Sequence, residues 1–291
     1  MDAVDRYDMD IEAEEDIEED ADTKPASGGG DMKRRHRLNS IWRFHPFHGA
    51  NVVLLENSSV ALRHKSFADA LLFSEQPLTP GDIFLVEIEQ IESEWSGHMR
   101  MGLTLLVPDT MSGNEDLPRF SLPEMSNYGN TWIFPLSKYA QDHPSIYQAL
   151  PYRNLLGEST HVRTPRGLLP KKLLYPTVNN EGSNMPLGAI GCRIGMIYAP
   201  TENNPLNAEL HFIINGVDKG PAAKNIPLQA APLYIVIDLY GATKKIRIIQ
   251  LDGLQSLQGI CRNVIHENFT ADEVMDWSIP ITIKRYLLPN C

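Results

Sequence analysis

Cysteine is scarce in this sequence, whose 291 residues include only Cys192, Cys261 and Cys291. An odd number of cysteines at such wide spacing does not predict the disulfide framework of a secreted domain. Long apolar runs are also lacking, and no stretch approaches the length that a membrane-spanning helix needs. The first twenty residues are acidic and contain no apolar run. We therefore expect no secretory signal and a cytoplasmic location without membrane insertion.

The motifs of common catalytic sites are missing as well. The sequence has no Gly-rich phosphate loop and no Gly-x-Ser-x-Gly nucleophile elbow. His45 and His48 with Asp69 or Asp109 would suggest acid–base chemistry, but nothing in their spacing fixes a common geometry. The spacing of the histidines and Cys192 matches no structural zinc pattern. We therefore expect a non-catalytic protein with no metal and no cofactor.

Negative charge is concentrated at the start of the chain. Residues 1–30 contain twelve Asp or Glu and two basic residues, which account for −10 of the formal net charge of −11. This range lacks the apolar content to fold, so we expect residues 1–40 to be a disordered acidic tail and basic linker. The basic cluster at 33–37 would suit a nuclear signal or a polyanion, but a solvated linker is the simpler interpretation. We expect no nucleic-acid partner.

From residue 41 to residue 251, short apolar runs alternate with clusters of Gly, Pro, Asn and Ser. The apolar residues Phe84, Val86 and Ile88 occupy every second position, which is the side-chain period of a β-strand. The strand-like runs are 51–55, 60–64, 82–91, 98–106, 193–198, 209–216, 232–241 and 244–251. Many short strands with few helices predict a mainly β protein, an antiparallel β-sandwich. The poorly periodic range at about 139–191 is typical of a partly disordered insertion.

Loops of a sandwich carry its function more often than the strands that position them. The Asn215-Gly216 pair between two strand-like runs predicts a tight hairpin turn, and Gly102 predicts a bulge or close packing. For Trp95, packing at the core or rim stays open as an alternative to ligand contact. The candidate substrate-binding residues in loops are Glu56, Asn57, Ser93, Trp95, Tyr128, Asn130, Asn203 and Tyr240.

Residues 252–291 follow a different pattern. Leu257, Cys261 and Ile265 recur every four residues and would line one face of a helix, with Ser256 as its N-cap. Because cysteine buries like a small hydrophobic residue, this face suits a shallow apolar groove on a partner. The alternative is one face of an ordinary core helix.

A second signal follows in the same range. Thr-Ala-Asp-Glu at 270–273 is a capping-type sequence that predicts a helix start. Ile279, Ile283 and Leu287 then recur at helical spacing around Pro280. Proline lacks an N–H and fixes φ, so it starts a helix well.

These two signals together resemble a SOCS box, the short module that docks substrate receptors onto cullin-RING ubiquitin ligases. In that family, a small residue followed by the Leu, Cys and aliphatic positions binds elongin C, which implies this role for Ser256, Leu257, Cys261 and Ile265. The family's cullin-5 box has Leu and Pro where this chain has Trp277 and Ser278. The resemblance implies cullin contacts at Trp277, Ile279, Pro280, Ile283, Tyr286 and Leu287. It also implies elongin C, elongin B and cullin-5 with its RING protein as partners.

Motifs spread between residues 42 and 251 carry another resemblance. They include FHPFHGANV at 44–52, WSGH at 95–98, ING at 214–216 and VIDLYG at 236–241. Together they are similar to a Neuralized homology repeat, a β-sandwich interaction domain akin to the SPRY fold. Longer Neuralized proteins carry a RING finger, whose ligands three cysteines cannot supply.

One such repeat followed by a SOCS box resembles the short members of the Neuralized-like family. The resemblance implies a non-catalytic substrate receptor of an elongin BC–cullin-5–RING ubiquitin ligase. Its sandwich would bind a target protein and so promote the target's ubiquitination and degradation. Two alternatives stay open: an interaction sandwich without ligase function, and a carbohydrate-binding sandwich.

Overall fold

The computed structural model describes residues 41–111, 117–127, 129–139, 152–177, 185–228, 232–251, 261, 265 and 268–288. The predicted tail at 1–40 lies outside these ranges. The fold is mainly β, as the sequence predicts. None of the helices in the described ranges is long and apolar enough to cross a membrane.

The strands in the described part of the chain form two large antiparallel sheets and one separate hairpin. The strands are β1 (Phe44–His48), β2 (Val52–Leu55), β3 (Val60–Arg63), β4 (Leu71–Ser74), β5 (Ile83–Ile91), β6 (Arg100–Thr104), β7 (Thr131–Pro135), β8 (His161–Thr164), β9 (Gly167–Pro170), β10 (Arg193–Pro200), β11 (Asn207–Ile214), β12 (Val217–Pro227), β13 (Tyr234–Asp238) and β14 (Thr243–Ile248). Their order is β1-β4-β13-β6-β7 in the first sheet and β12-β11-β10-β5-β14-β3-β2 in the second, and β8 pairs with β9. Every strand-like run predicted from the sequence overlaps one of these strands.

The main core lies between the two large sheets. Phe84, Val86 and Ile88 of β5 point into it, and Met101 of β6 and Ile237 of β13 meet them from the other sheet. All five side chains are fully buried. The alternation predicted for β5 is therefore confirmed, and the two sheets form a sandwich because each buries one apolar face against the other.

Connecting segments cover the outer faces of both sheets. The β8–β9 hairpin, inside the predicted insertion, contributes Val162 and Leu169 to a second cluster on the outer face of the seven-stranded sheet. The segment after β6 contains the short helix α1 (Glu124–Asn127), whose Met125 packs on the outer face of the five-stranded sheet. These covers explain why strands such as β4 (Leu71–Ser74) are buried on both faces.

Two glycine positions show how closely the backbones approach. Asn215 and Gly216 have φ angles of 47° and 82° and join β11 to β12, which confirms the predicted hairpin turn. A Cβ on Gly102 would overlap the carbonyl oxygen of Trp132 on the neighbouring strand. The prediction of close packing at Gly102 is therefore confirmed.

The strand registers divide the loops between two ends of the sandwich. At one end, the β3–β4, β5–β6 and β13–β14 loops meet, because Arg100 pairs with Asp238 and Thr243 pairs with Ile91. We call this the loop end. At the opposite end, the chain enters and leaves the sandwich. There, Trp42 N–H donates to Gln250 Oε1 (2.9 Å) and Gln250 Nε2 donates to the Trp42 carbonyl (2.8 Å).

Two short helices follow the sandwich, α2 (Ala271–Asp276) and α3 (Ile281–Leu287). Thr270 Oγ1 accepts from the Glu273 N–H, and the Glu273 carboxylate accepts from the Thr270 N–H. This is the reciprocal capping box that the sequence predicts. Val274 of α2, Leu287 of α3 and Leu288 form a small buried cluster, against which Ile265, Trp277 and Ile279 pack.

Candidate protein-interaction surfaces

Four aromatic side chains from four different segments meet at the loop end. Phe67 lies at the centre, with the ring centroids of Trp95 at 4.8 Å, Tyr240 at 5.0 Å and Phe120 at 6.2 Å. Trp95 is 48% exposed, whereas the other three rings are partly buried. We call Phe67, Trp95, Phe120 and Tyr240 the aromatic platform. It is the point where the long loops of both sheets converge, so it is the candidate binding surface of the sandwich.

A buried arginine ties two of the platform's loops together. The Arg63 side chain is only 1% exposed, and it donates to the Gly241 carbonyl (2.8 Å) and to Glu92 Oε2 (3.0 Å). The Ala242 N–H donates to the Gly97 carbonyl (3.0 Å). These bonds fix the β13–β14 loop against the β5–β6 loop, so the platform is held in place before any ligand arrives.

A buried carboxylate holds the other side of the platform. Asp238 Oδ2 accepts from the Ser121 N–H (3.1 Å), from Ser121 Oγ (2.7 Å) and from Arg100 Nη1 (3.3 Å). The Arg100 guanidinium carbon also lies 3.7 Å from the centroid of the Tyr240 ring. Burial raises the pKa of Asp238, while the Ser121 and Arg100 contacts act in the opposite direction. Asp238 thus orders the segment that carries Phe120.

The predicted substrate-binding residues do not form one site. Ser93, Trp95 and Tyr240 lie together at the loop end, where Ser93 is an exposed turn residue. Four others belong to loops at the opposite end: Glu56, Asn57, Asn130 and Asn203. Tyr128 lies outside the described residues. Glu56 and Asn57 have φ angles of 50° and 55°, and Glu56 is in an ion pair with Arg247, so this turn is held by its own contacts.

The platform includes two residues that the sequence interpretation did not select. Phe67 and Phe120 each lie in irregular segments, where one aromatic residue carries no periodic signal. Phe67 precedes the buried strand β4, and Phe120 lies in a segment rich in Pro and Ser. In the sequence, both look like ordinary loop residues. Their importance follows only from the contacts that bring them within 6.3 Å of Tyr240.

The second candidate surface belongs to the C-terminal segment. Cys261 and Ile265 both have helical backbone; Cys261 is a free, exposed cysteine, and Ile265 is partly buried. Ser256 and Leu257, the other two predicted elongin contacts, lie outside the described residues. The role of Cys261 and Ile265 as elongin C contacts stays a prediction.

The predicted cullin contacts are divided between the inside and the outside of the C-terminal segment. Leu287 is buried and Ile279 is partly buried, whereas Ile283 is 46% exposed. Pro280 caps α3, so Ile279 precedes the helix and does not share its spacing. The helical spacing predicted for Ile279, Ile283 and Leu287 therefore holds for Ile283 and Leu287 but not for Ile279, and the cullin contacts stay a prediction. Trp277 packs its ring 4.9 Å from that of Phe269, and Tyr286 lies in α3.

Two histidines of the sandwich, His45 and His211, lie beside carboxylates. His45 has partners on both ring nitrogens, and His211 is fully buried. His45 Nε2 lies 2.9 Å from Asp109 Oδ1, and its Nδ1 accepts from the Phe47 N–H (3.0 Å). With both nitrogens occupied, His45 is not free to activate a nucleophile. His211, bonded to Asp218, has no exposed side-chain surface. Within the described ranges, no group of three or more His, Cys, Asp or Glu side chains is arranged to hold a metal ion.

Comparison with known proteins identifies relatives of the sandwich domain. Residues 44–250 match the Neuralized family. Neuralized-like protein 2 of Homo sapiens is 38% identical over 244 residues, which cover 78% of this chain and 84% of that protein. The E3 ubiquitin-protein ligase NEURL3 of Rattus norvegicus is 24% identical over 205 residues, 69% of this chain and 58% of that protein.

A solved structure shows the same fold. The crystal structure of the Drosophila melanogaster neuralized-NHR1 domain aligns with a TM-score of 0.50 and 20% identity. The alignment covers 73% of this chain and 99% of that domain. With the match over residues 44–250 and the identity to Neuralized-like protein 2, the chain belongs to the Neuralized family.

Proposed function

We propose that this protein is a non-catalytic substrate receptor of a ubiquitin ligase. In this proposal, the sandwich binds a target protein and the C-terminal helices bind elongin C, elongin B and cullin-5 with its RING protein. The observation that carries the proposal is that the chain has two candidate interaction surfaces, one on the sandwich and one on the C-terminal segment. Among the described residues, the three hydrophobic clusters of the sandwich contain none after Leu251, and the cluster of the C-terminal segment lies within 265–288.

The sandwich surface supports the target-binding half of the proposal. The aromatic platform exposes Trp95 at an end where several loops are fixed by buried polar contacts. Aromatic residues on rigid loops are the usual anchors of protein–protein interfaces. The platform also lies at the end opposite to Gln250, where the chain leaves the sandwich towards the C-terminal helices. In this proposal, the target and the ligase are bound by different residues of the chain.

The C-terminal segment supports the ligase-binding half. Its small cluster of Val274, Leu287 and Leu288 gives the segment its own core, while Cys261 and Ile283 remain exposed. Exposed apolar residues on a capped pair of helices are typical of a docking surface. The spacing of Leu257, Cys261 and Ile265 is the further support from the sequence.

The names of relatives favour the same pathway. NEURL3 is named an E3 ubiquitin-protein ligase, and it aligns over 69% of this chain. A receptor without a catalytic site accelerates ubiquitin transfer by holding the target close to the charged conjugating enzyme, which raises the effective concentration. In this proposal, the protein acts in the cytoplasm, the location expected from the sequence.

Capture of elongin C and cullin-5 from cells tests the ligase-binding half. Leu257→Ala with Cys261→Asp should abolish capture of both partners, because the double change removes apolar contact and introduces a charge on that face. Burying one leucine contributes about 1.5–3 kcal/mol, and ~3 kcal/mol is more than a hundredfold in affinity. Ile283→Ala should weaken capture of cullin-5 while elongin C is retained.

The matched control is Leu206→Ala, an exposed apolar residue of the sandwich. Undiminished capture of elongin C by the double variant would contradict the proposal and leave an interaction sandwich without ligase function. Capture of cullin-2 in place of cullin-5 would show that the resemblance of residues 277–287 to a cullin-5 box had indicated the wrong cullin.

A further inference from the structure

The β8–β9 hairpin and the segments beside it carry an excess of positive charge. Residues 152–177 contain a single acidic residue, Glu158, and five basic ones: Arg153, Arg163, Arg166, Lys171 and Lys172. Arg153 and Arg166 have carboxylate partners at 3.2 and 2.7 Å. The other three form no ion pair with any residue in the described part of the chain. Their positive charges are therefore available to an anionic ligand.

The hairpin directs these charges away from the sheet that it covers. Val162 packs against the sheet, so Arg163, the next residue of β8, lies on the opposite face and is exposed. Lys172 is exposed in the 3₁₀ turn that follows β9. Lys171 Nζ donates to the Gly157 carbonyl (2.5 Å), an uncharged acceptor that leaves the positive charge uncompensated. We call Arg163, Lys171 and Lys172 the basic hairpin surface.

The turn of the hairpin lies beside the start of the sandwich. The Arg166 guanidinium carbon is 4.9 Å from the centroid of the Trp42 ring, and Asp82 holds Arg166 in place. Trp42 is buried, and its backbone is bonded to Gln250. The basic hairpin surface is therefore anchored at the point where residues 1–40 join the sandwich.

The acidic tail supplies a ligand of matching charge within reach of this surface. Residues 8–22 contain ten Asp or Glu and no basic residue. About twenty residues connect them to Trp42, and a flexible chain of that length spans roughly 25 Å on average. A four-residue strand such as β8 is only about 13 Å long. Because the tail is covalently attached beside the hairpin, its effective concentration there is on the order of millimolar.

We propose that the basic hairpin surface binds the chain's own acidic segment, residues 8–22, through ion pairs with Arg163, Lys171 and Lys172. Each exposed ion pair is weak, but tethering and several simultaneous pairs make the contact favourable. While the tail is bound, the hairpin is closed to acidic segments of other proteins. This inference goes beyond the proposed function and does not depend on the ligase.

Carbodiimide coupling of the full chain, followed by mass spectrometry, tests the inference. The reagent joins a lysine amine directly to a carboxylate that contacts it. We expect Lys171 and Lys172 to couple to residues 8–22 more than the exposed reference lysines Lys65 and Lys224 do. The yield should fall when the salt concentration is raised to about 0.5 M, because the screening length is then only about 4 Å.

Arg163→Gln removes one charge and leaves both reactive lysines in place. The yield at Lys171 and Lys172 should fall about threefold, the effect of losing one exposed ion pair. Arg119→Gln, at the loop end with a side chain that is 74% exposed, is the matched control and should couple as the wild type does. Both variants should keep the wild-type melting temperature, because neither side chain is buried.

The same experiment distinguishes the other occupants, and each of the following results would overturn the inference. Coupling of residues 8–22 to Lys33 in place of the hairpin would assign the acidic segment to the basic cluster at 33–37. Equal coupling to Lys65 and Lys224, or an unchanged yield in Arg163→Gln, would show that the hairpin is not selected. In a mixture of heavy-isotope-labelled and unlabelled protein, coupling only between the two kinds of molecule would make a second copy the occupant.

Discussion

At the scale of single residues, ion pairs of charged side chains join the loops at the loop end. The Arg63 side chain is buried, and Glu92 bonds to it and to Lys244 (2.6 Å). The hydrogen bond from Lys244, with the charges of Arg63 and Lys244, lowers the pKa of Glu92. A carboxylate with a lowered folded-state pKa stabilises the fold above its unfolded pKa of about 4.3 and loses this effect as the pH falls.

We predict that Glu92→Gln lowers the free energy of unfolding by about 1 kcal/mol at pH 7, since Glu92 is partly screened by solvent. The difference from the wild type should shrink as the pH falls below about 4, where the wild-type carboxyl also becomes protonated. Urea unfolding at a series of pH values measures this. Glu94→Gln, exposed two residues away, is the matched control and should have little effect. A pH-independent difference would show that charge at Glu92 is not the cause.

At the scale of elements, the seven-stranded sheet protects its edge strand from pairing with other chains. The edge strand β12 (Val217–Pro227) contains Pro221 and Pro227 and pairs with β11 through three irregularities of register. Prolines and bulges at an edge prevent pairing with another chain.

The β8–β9 hairpin covers the outer face of the same sheet by inserting Leu169, which is 1% exposed. A hairpin held by few apolar contacts is expected to open separately from the sandwich.

We predict that Leu169→Ala weakens docking of the hairpin by about 2–5 kcal/mol, because it leaves a cavity under β8 and β9. Amide hydrogen exchange should then accelerate in residues 161–170 and remain slow in β5 and β10. The adjacent Leu168→Ala provides the control, because Leu168 is 41% exposed. Equal acceleration throughout the sandwich would mean that the hairpin and the sheets unfold as one unit.

At the scale of the whole molecule, the chain combines a large sandwich with a small helical segment. Among the described residues, the apolar clusters of the sandwich and of the helical segment share no member. The chain enters and leaves the sandwich at one end, and the aromatic platform occupies the other. The two proposed binding events therefore use different residues of the chain.

We predict that removing residues 252–291 changes the melting temperature of the sandwich by no more than about 2–4 °C, the shift that 1 kcal/mol produces at this size. The truncated chain should keep its fold but fail to capture elongin C. Differential scanning calorimetry and elongin C capture measure the two properties. A large fall in melting temperature would reveal that the C-terminal helices stabilise the sandwich.

The sequence by itself determined the features that depend on neighbouring residues. Alternation of apolar residues located β5, the Asn215-Gly216 pair located a hairpin, and the spacing of Thr270 and Glu273 located a helix start. Each of these signals arises within a few residues, where backbone geometry and side-chain period are fixed locally. Strands with mixed patterns, such as the proline-containing edge strand β12, were missed because their pairing is imposed by a neighbour.

Only the tertiary structure decided which loops form the candidate site. Phe67 and Tyr240 are far apart in the sequence, yet their rings lie 5.0 Å apart because the strand registers bring their loops to the same end. The same registers send Asn203 and Asn130 to the opposite end. Local periodicity carries no information about such long-range contacts, since they depend on the order of strands in the sheets. The surface was therefore settled by packing between segments distant in the chain.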